Sequence, residues 1–163
     1  KPLTFDFWYT PSHYGDTEVD IAAVLKAQFE ATGMMKVNVK SAEWAAYRDN
    51  WANSVMPIWL LGWYPDYIDP DNYTSAFAGT AGSKGLGIHF SSKEWDDKLV
   101  QGQTVTDMSK RTAIYKDIQK MWTEDVPTMP IFQGTLYMFA QKNVRGIVIS
   151  PTLQFIYAPI HRK

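Results

Sequence analysis

Gly62-Trp63-Tyr64-Pro65-Asp66-Tyr67-Ile68-Asp69-Pro70-Asp71-Asn72-Tyr73 packs three carboxylates, four aromatic rings and two prolines into twelve residues. Prolines exclude an ordinary helix or central strand across Tyr64–Pro70, so the segment reads as a stiff loop. A fixed carboxylate beside aromatic faces suits a ligand with an apolar body and a positive or hydroxylated group. The candidate binding residues are Asp66, Trp63, Tyr64 and Tyr67. Each also has a purely architectural reading. Asp66 could cap the turn before Tyr67. Trp63 could pack beneath the loop, and the two tyrosines could alternate between cleft and core. Asp69 reads as the N-cap of a short helix with Pro70 at its first position. Asp71 and Asn72 then fall on the first turn, where an acid suits the helix dipole.

Other chemistries fit the sequence poorly. The spacing of Asp66, Asp69 and Asp71 is not that of a calcium loop, and the distal bidentate Glu is missing. A glycosidase pair needs two carboxyls about 5–9.5 Å apart, and no second strand end carries an obvious partner acid. His13, His89 and His161 are scattered without metal-site spacing. No Gly-x-Ser-x-Gly elbow accompanies Ser12-His13. The chain has no cysteine, which removes disulfides, zinc-thiolate sites and thiol nucleophiles. No metal, cofactor or catalysis is expected. A small hydrolase using loop carboxylates is the alternative from another functional class.

The 163 residues, 45% hydrophobic and 20% charged, suit a globular domain with a real core. A net charge of −1 argues against nucleic acid as a partner. No apolar run approaches the roughly 18–20 residues of a membrane helix. Leu3, close to the opening Lys1, already reads as mid-strand, so the sequence is expected to be a piece or a processed product.

The elements that must position the loop follow from periodicity. Leu3–Tyr9 alternates as a strand, with Leu3, Phe5, Phe7 and Tyr9 on one face. Asp16 is expected to cap a helix over Thr17–Thr32 that buries Ile21, Val24, Leu25 and Phe29 and ends at Gly33. Met35–Lys40 is a second strand, parallel to the first by a right-handed crossover. Ser41 is expected to cap a helix over Ala42–Asn53 with Trp44, Tyr47 and Trp51 on one side, and Met56–Leu61 is the next strand. The helix after Asp69 stops near Gly79, and glycine-rich Thr80–Gly87 reads as a flexible loop. Ser91–Glu94 reads as a capping box for a helix to about Gln101. Asp107–Glu124 is the longest helix, with Ile114, Tyr115, Ile118, Met121 and Trp122 facing a core. Ile131–Ala140 and Val144–Ile149 read as extended.

Trp63 to Tyr73 resembles the pattern Gly-Trp-x-x-Asp-Tyr-x-Asp-Pro-x-Asn of the extracytoplasmic solute-binding proteins of oligopeptide and dipeptide ABC importers. Arg111–Trp122 followed by Val126-Pro127-Thr128-Met129-Pro130 is similar to that family's Arg-x-x-x-Tyr-x-x-x-Gln helix and proline exit, and Val144-Arg145-Gly146 to its Val-Lys/Arg-Gly turn. The resemblance implies an α/β fold: the second lobe of a type II periplasmic-binding-protein fold, with a small, mostly parallel sheet flanked by helices. It implies a C-terminal ligand-binding lobe over 1–130. Residues 131–163 are then a tail that in relatives returns to an N-terminal lobe missing here. It further implies an extracytoplasmic protein whose partners are a small oligomeric solute and a membrane permease. The solute is a peptide or, in some similar proteins, an oligosaccharide. Asp66 matches the position whose carboxylate receives the ligand's α-ammonium, and Trp63 matches an aromatic that lines the cleft.

Overall fold

The computed structural model describes residues 1–152 and 154–163. Residue 153, in the expected tail, lies outside the described residues. The chain divides into two compact units, residues 1–62 with 85–87, and residues 63–84 with 88–163.

The first unit is a three-stranded parallel sheet with two helices. Strand β1 (Leu3–Tyr9) lies between β2 (Met35–Ser41) and β3 (Ile58–Trp59). The β1–β2 register runs from Leu3 opposite Met35 to Tyr9 opposite Ser41. Phe5, Phe7 and Tyr9 share the face that alternation predicts and join a core with Ala22, Val37 and Leu60. Helix α1 (Glu18–Ala31) covers this face with Ile21, Leu25 and Phe29. Phe29 meets the Phe5 and Phe7 rings edge-on, at centroid distances of 6.0 and 6.4 Å. Val24, expected in the core, is exposed, and Ala22 is buried in its place. Gly33, with φ of +69°, makes the left-handed exit expected after α1.

Three boundaries differ from expectation for identifiable reasons. Thr17, not Asp16, holds the N-cap position of α1 and makes no side-chain cap bond. Instead Glu18, in the first turn, reaches back to accept the Thr10 N–H at 3.2 Å. Ser41 does not cap α2, because it is paired opposite Tyr9 and the ladder continues through Ala42 N–H to Tyr9 O. Helix α2 therefore spans Trp44–Ala52. It presents Trp44, Tyr47 and Trp51 together, as the spacing predicts. The third strand shrinks to Ile58–Trp59, since Pro57 has no N–H to give the ladder. Leu60 N–H adds one more bond to Trp8 O, and the buried Tyr47 hydroxyl donates to Leu60 O at 2.7 Å.

In the second unit, α3 (Pro70–Ala78) begins after Asp69 and stops at Gly79, as the sequence suggests. Thr80–Gly85, expected as a loop, is helix α4. Tertiary hydrogen bonds override its glycine content. Thr80 N–H donates to Asp96, and the fully buried Ser83 hydroxyl accepts Phe90 N–H. Gly82 is needed for this approach: a Cβ there would stand 2.5 Å from Ser75 O. Helix α5 spans Lys93–Thr104, with Ser92 at the N-cap position but making no capping bond, so the expected box is not closed. Helix α6 (Met108–Asp125) is capped by Asp107, which accepts Lys110 N–H. Its Tyr115 and Ile118 join Ala78, Trp95 and Leu99 in the core, flanked by Ile114, Met121 and Trp122. Of the segments expected to be extended, only Val144–Arg145 (β4) forms a strand, paired antiparallel with β5 (His161–Arg162).

Burial pushes the Glu18 carboxyl above its ordinary value of 4.5, opposed by the Thr10 N–H. A raised folded-state value favours folding below the unfolded value, and that contribution is lost as pH rises through the folded value. Glu18→Gln keeps an acceptor for Thr10 and cannot ionise. Its stability relative to the parent should therefore increase between pH 4 and pH 7 in denaturant titrations. A pH-independent difference would show that Glu18 does not titrate differently on folding.

Candidate functional site

The aromatic acidic loop lies at the start of the second unit, and α3 organises it. Pro70 presets the first turn of α3. Asp69 Oδ1 accepts Asp71 N–H at 2.8 Å, which closes the N-cap expected from sequence. The same oxygen accepts from Arg111 Nη2 at 2.7 Å. Arg111 on α6 also donates through Nε to Gly102 O on α5 at 2.8 Å, and its guanidinium lies over the Tyr115 ring. One arginine thus joins the loop exit to α5 and α6. The Arg111 hydrogen bond holds the Asp69 carboxyl below its ordinary value of 3.8, against a smaller opposing effect of burial.

Asp71 anchors a second network. It accepts from Tyr67 Oη at 2.6 Å and Gln103 Nε2 at 2.8 Å, and also from Ser75 Oγ. Burial pushes this carboxyl up, but the bonds from Ser75, Tyr67 and Gln103 together bring it below 3.8. Tyr67 shows the reciprocal effect. Its bond to Asp71 raises the phenol, while the nearby Asn72 amide pulls the other way.

Asn72 is the residue that sequence reasoning underrated. Only 7% exposed, it accepts with one oxygen, Oδ1, from Trp63 Nε1 at 3.0 Å and from Asp66 N–H at 3.2 Å. Its place in the Asp-Pro-x-Asn run was legible, but the sequence does not say which groups such an amide meets. Trp63 is half-buried against Phe77, edge to face at 5.0 Å. Pro65 is buried, while Tyr64, Asp66 and Tyr67 are exposed. Among the described residues the Asp66 carboxylate accepts no hydrogen bond. Trp63 and Asp66 are thus brought together on Asn72, and Tyr67 on the neighbouring Asp71. Tyr64 shares the loop but no hydrogen bond among the described residues.

The first unit explains the glycine that opens the motif. A Cβ on Gly62 would stand 2.7 Å from the Tyr14 ring. Among the described residues, no three His, Cys, Asp or Glu side chains group to hold a metal ion. No helix among them is long and apolar enough to cross a membrane.

Residues 2–85 match the model of the bacterial extracellular solute-binding proteins, family 5 (middle). The chain belongs to that family. This family-5 chain is 32% identical over 132 residues to a dipeptide-binding protein of Pseudomonas aeruginosa, covering 80% of the chain and 25% of the relative. Against the oligopeptide-binding protein OppA of Bacillus subtilis it is 25% identical, covering 84% and 25% of the two lengths. The crystal structure of a dipeptide-binding protein from Pseudoalteromonas sp. SM9913 in complex with Met-Leu superposes with a TM-score of 0.85 at 26% identity. It matches 100% of this chain and 33% of its own. The chain therefore spans about a quarter of the length of the curated relatives it matches. The α/β fold with a small parallel sheet and flanking helices, expected from the resemblance, is the fold observed.

Asp69 makes two separable contributions. Asp69→Ala removes cap and ion pair, whereas Asp69→Asn keeps a capping oxygen and loses the charge. The alanine variant should be less stable than the asparagine variant by about 1 kcal/mol in urea unfolding. A depressed folded-state value adds stability above the unfolded value, and that stability is lost as pH falls through the folded value. The advantage of the parent over Asp69→Asn should accordingly fade below about pH 3.8. Equal stability of the two variants would remove the cap from the account.

Proposed function

We propose that this chain is the second-lobe segment of a solute receptor that captures a peptide and delivers it to the permease of an ABC importer. The observation that carries the reading is the Asp66 carboxylate. It is exposed and free of hydrogen bonds among the described residues, yet it stands on a loop whose backbone is tied at Asp66 N–H. A peptide's α-ammonium offers three donors, and a carboxylate on a stiff support meets it with little ordering entropy. Trp63 offers a half-buried indole edge beside it, and Tyr64 and Tyr67 supply exposed rings for the adjoining side chains. The names of the relatives, binders of dipeptides and oligopeptides, support the same ligand class.

The rest of the reading follows from length. Relatives are about four times longer than the matched stretch, which leaves room for a second lobe that would enclose the ligand against this one. Ligand drives closure only through contacts unique to the closed state. In this reading Lys1–Pro130 is the ligand-binding lobe, and residues 131–163 return to the other lobe. Phe132, Tyr137, Phe139, Phe155 and Tyr157, all exposed in this chain, suit that packing. In this reading the receptor works outside the cytoplasm, in keeping with the family description, and releases its ligand unchanged.

Calorimetry on the intact receptor tests the central contact. Asp66→Ala should weaken a dipeptide with a free amine by about 1.5–3 kcal/mol, roughly tenfold to a hundredfold in Kd. An N-acetylated dipeptide, lacking the cation, should bind parent and variant alike. Equal losses for free-amine dipeptide, acetylated dipeptide and a cello-oligosaccharide would defeat the ammonium role.

A further inference from the structure

The predicted binding residues do not position themselves. Trp63 and Asp66 are separated by Tyr64 and Pro65, and both donate to the same atom, Asn72 Oδ1, at 3.0 and 3.2 Å. Two N–H donors converging on one side-chain atom define the amide orientation, since only the oxygen can accept. Asn72 is itself held. It lies in the first turn of α3, almost fully buried, directly after the Asp69 cap that Arg111 anchors to α6. An indole and a backbone amide would otherwise move independently on an exposed bend.

We infer that Asn72 is a positioning residue that sets the Trp63 indole and the Asp66 backbone in one fixed relation, so that the free Asp66 carboxylate and the indole edge face the same ligand. The inference rests on the peptide reading for its consequence in affinity, but the tie itself is a separate claim. Its acceptor is a neutral amide, which adds no negative charge beside Asp66 and leaves the neighbouring carboxylate as the anion for the ligand. Tyr67 is held alongside, its phenol donating to Asp71, the residue before Asn72. Two of the four sequence-predicted site residues therefore converge on one buried amide.

Two measurements on the intact receptor separate the tie from its consequence. The first follows the tie without ligand. The receptor is labelled with 5-fluorotryptophan, the Trp63 ¹⁹F signal is assigned through Trp63→Phe, and hydrogen exchange is read at the Asp66 amide. Asn72→Leu should shift the Trp63 signal and speed Asp66 exchange at least tenfold, whereas Asn72→Asp, which keeps an acceptor oxygen, should preserve most of both. An unchanged signal and unchanged exchange in Asn72→Leu would overturn the proposal. Where the leucine variant does not fold, Asn72→Ser, too short to reach both donors, takes its place with the same expectations.

The second measurement is dipeptide affinity below the melting range of every variant. Asn72→Leu should raise Kd roughly tenfold, with Asn72→Asp recovering most of the loss. A released tie with parental affinity, while Asp66→Ala still loses binding, would refute the positioning role. If Asp66→Ala binds the dipeptide as the parent does, the ammonium reading fails on its own. The tie is then upheld or refuted by the fluorine signal and amide exchange alone.

Discussion

The arrangement of the loop depends on how α3 begins. A helix start leaves N–H groups without intrahelical partners, and here Asp69 Oδ1 satisfies one of them while also accepting from Arg111. That shared oxygen fixes the first turn, and the first turn fixes Asn72. Asn72 in turn holds Trp63 and Asp66. Each link is short in sequence except the bond to Arg111, 42 residues away. That long-range contact ties the loop to the hydrophobic core, because Arg111 and Tyr115 are neighbours on the same face of α6.

Charge is distributed by task along this stretch. Asp69 and Asp71 are consumed by the scaffold, with both carboxyls held low by their hydrogen-bond partners, although burial opposes this most strongly at Asp71. Asp66 makes no such bond among the described residues. The three acids look alike in sequence, but among the described residues only Asp66 has both carboxylate oxygens free of hydrogen bonds. A buried acceptor already satisfied by backbone and side-chain donors has little left to offer a ligand. An exposed one on a tied backbone keeps that capacity and has already lost much of its freedom.

Much of this was legible beforehand. The β1 alternation, the apolar face of α6, the Asp69 cap and the Gly79 stop all follow from short-range rules and match the structure. Failures occurred where a distant partner outbid a local signal. Ser41 looks like a cap but is a strand residue, because Tyr9 pairs with it. The glycines of Thr80–Gly85 suggest a loop, yet Asp96 and the Ser83–Phe90 bond stabilise a helix. Asn72 reads as an ordinary first-turn residue, since nothing local announces that an indole nine positions earlier will donate to it.

The uncovered rings after Pro130 bear on how the molecule behaves as a colloid. Phe139 is 94% exposed, and Phe155 stacks on Tyr157, both of them exposed. Attraction between such surfaces strengthens on warming and in sulfate or phosphate salts. Clouding of a solution of this chain would therefore be driven by heat and kosmotropes, and cold, low-salt buffer would keep it clear.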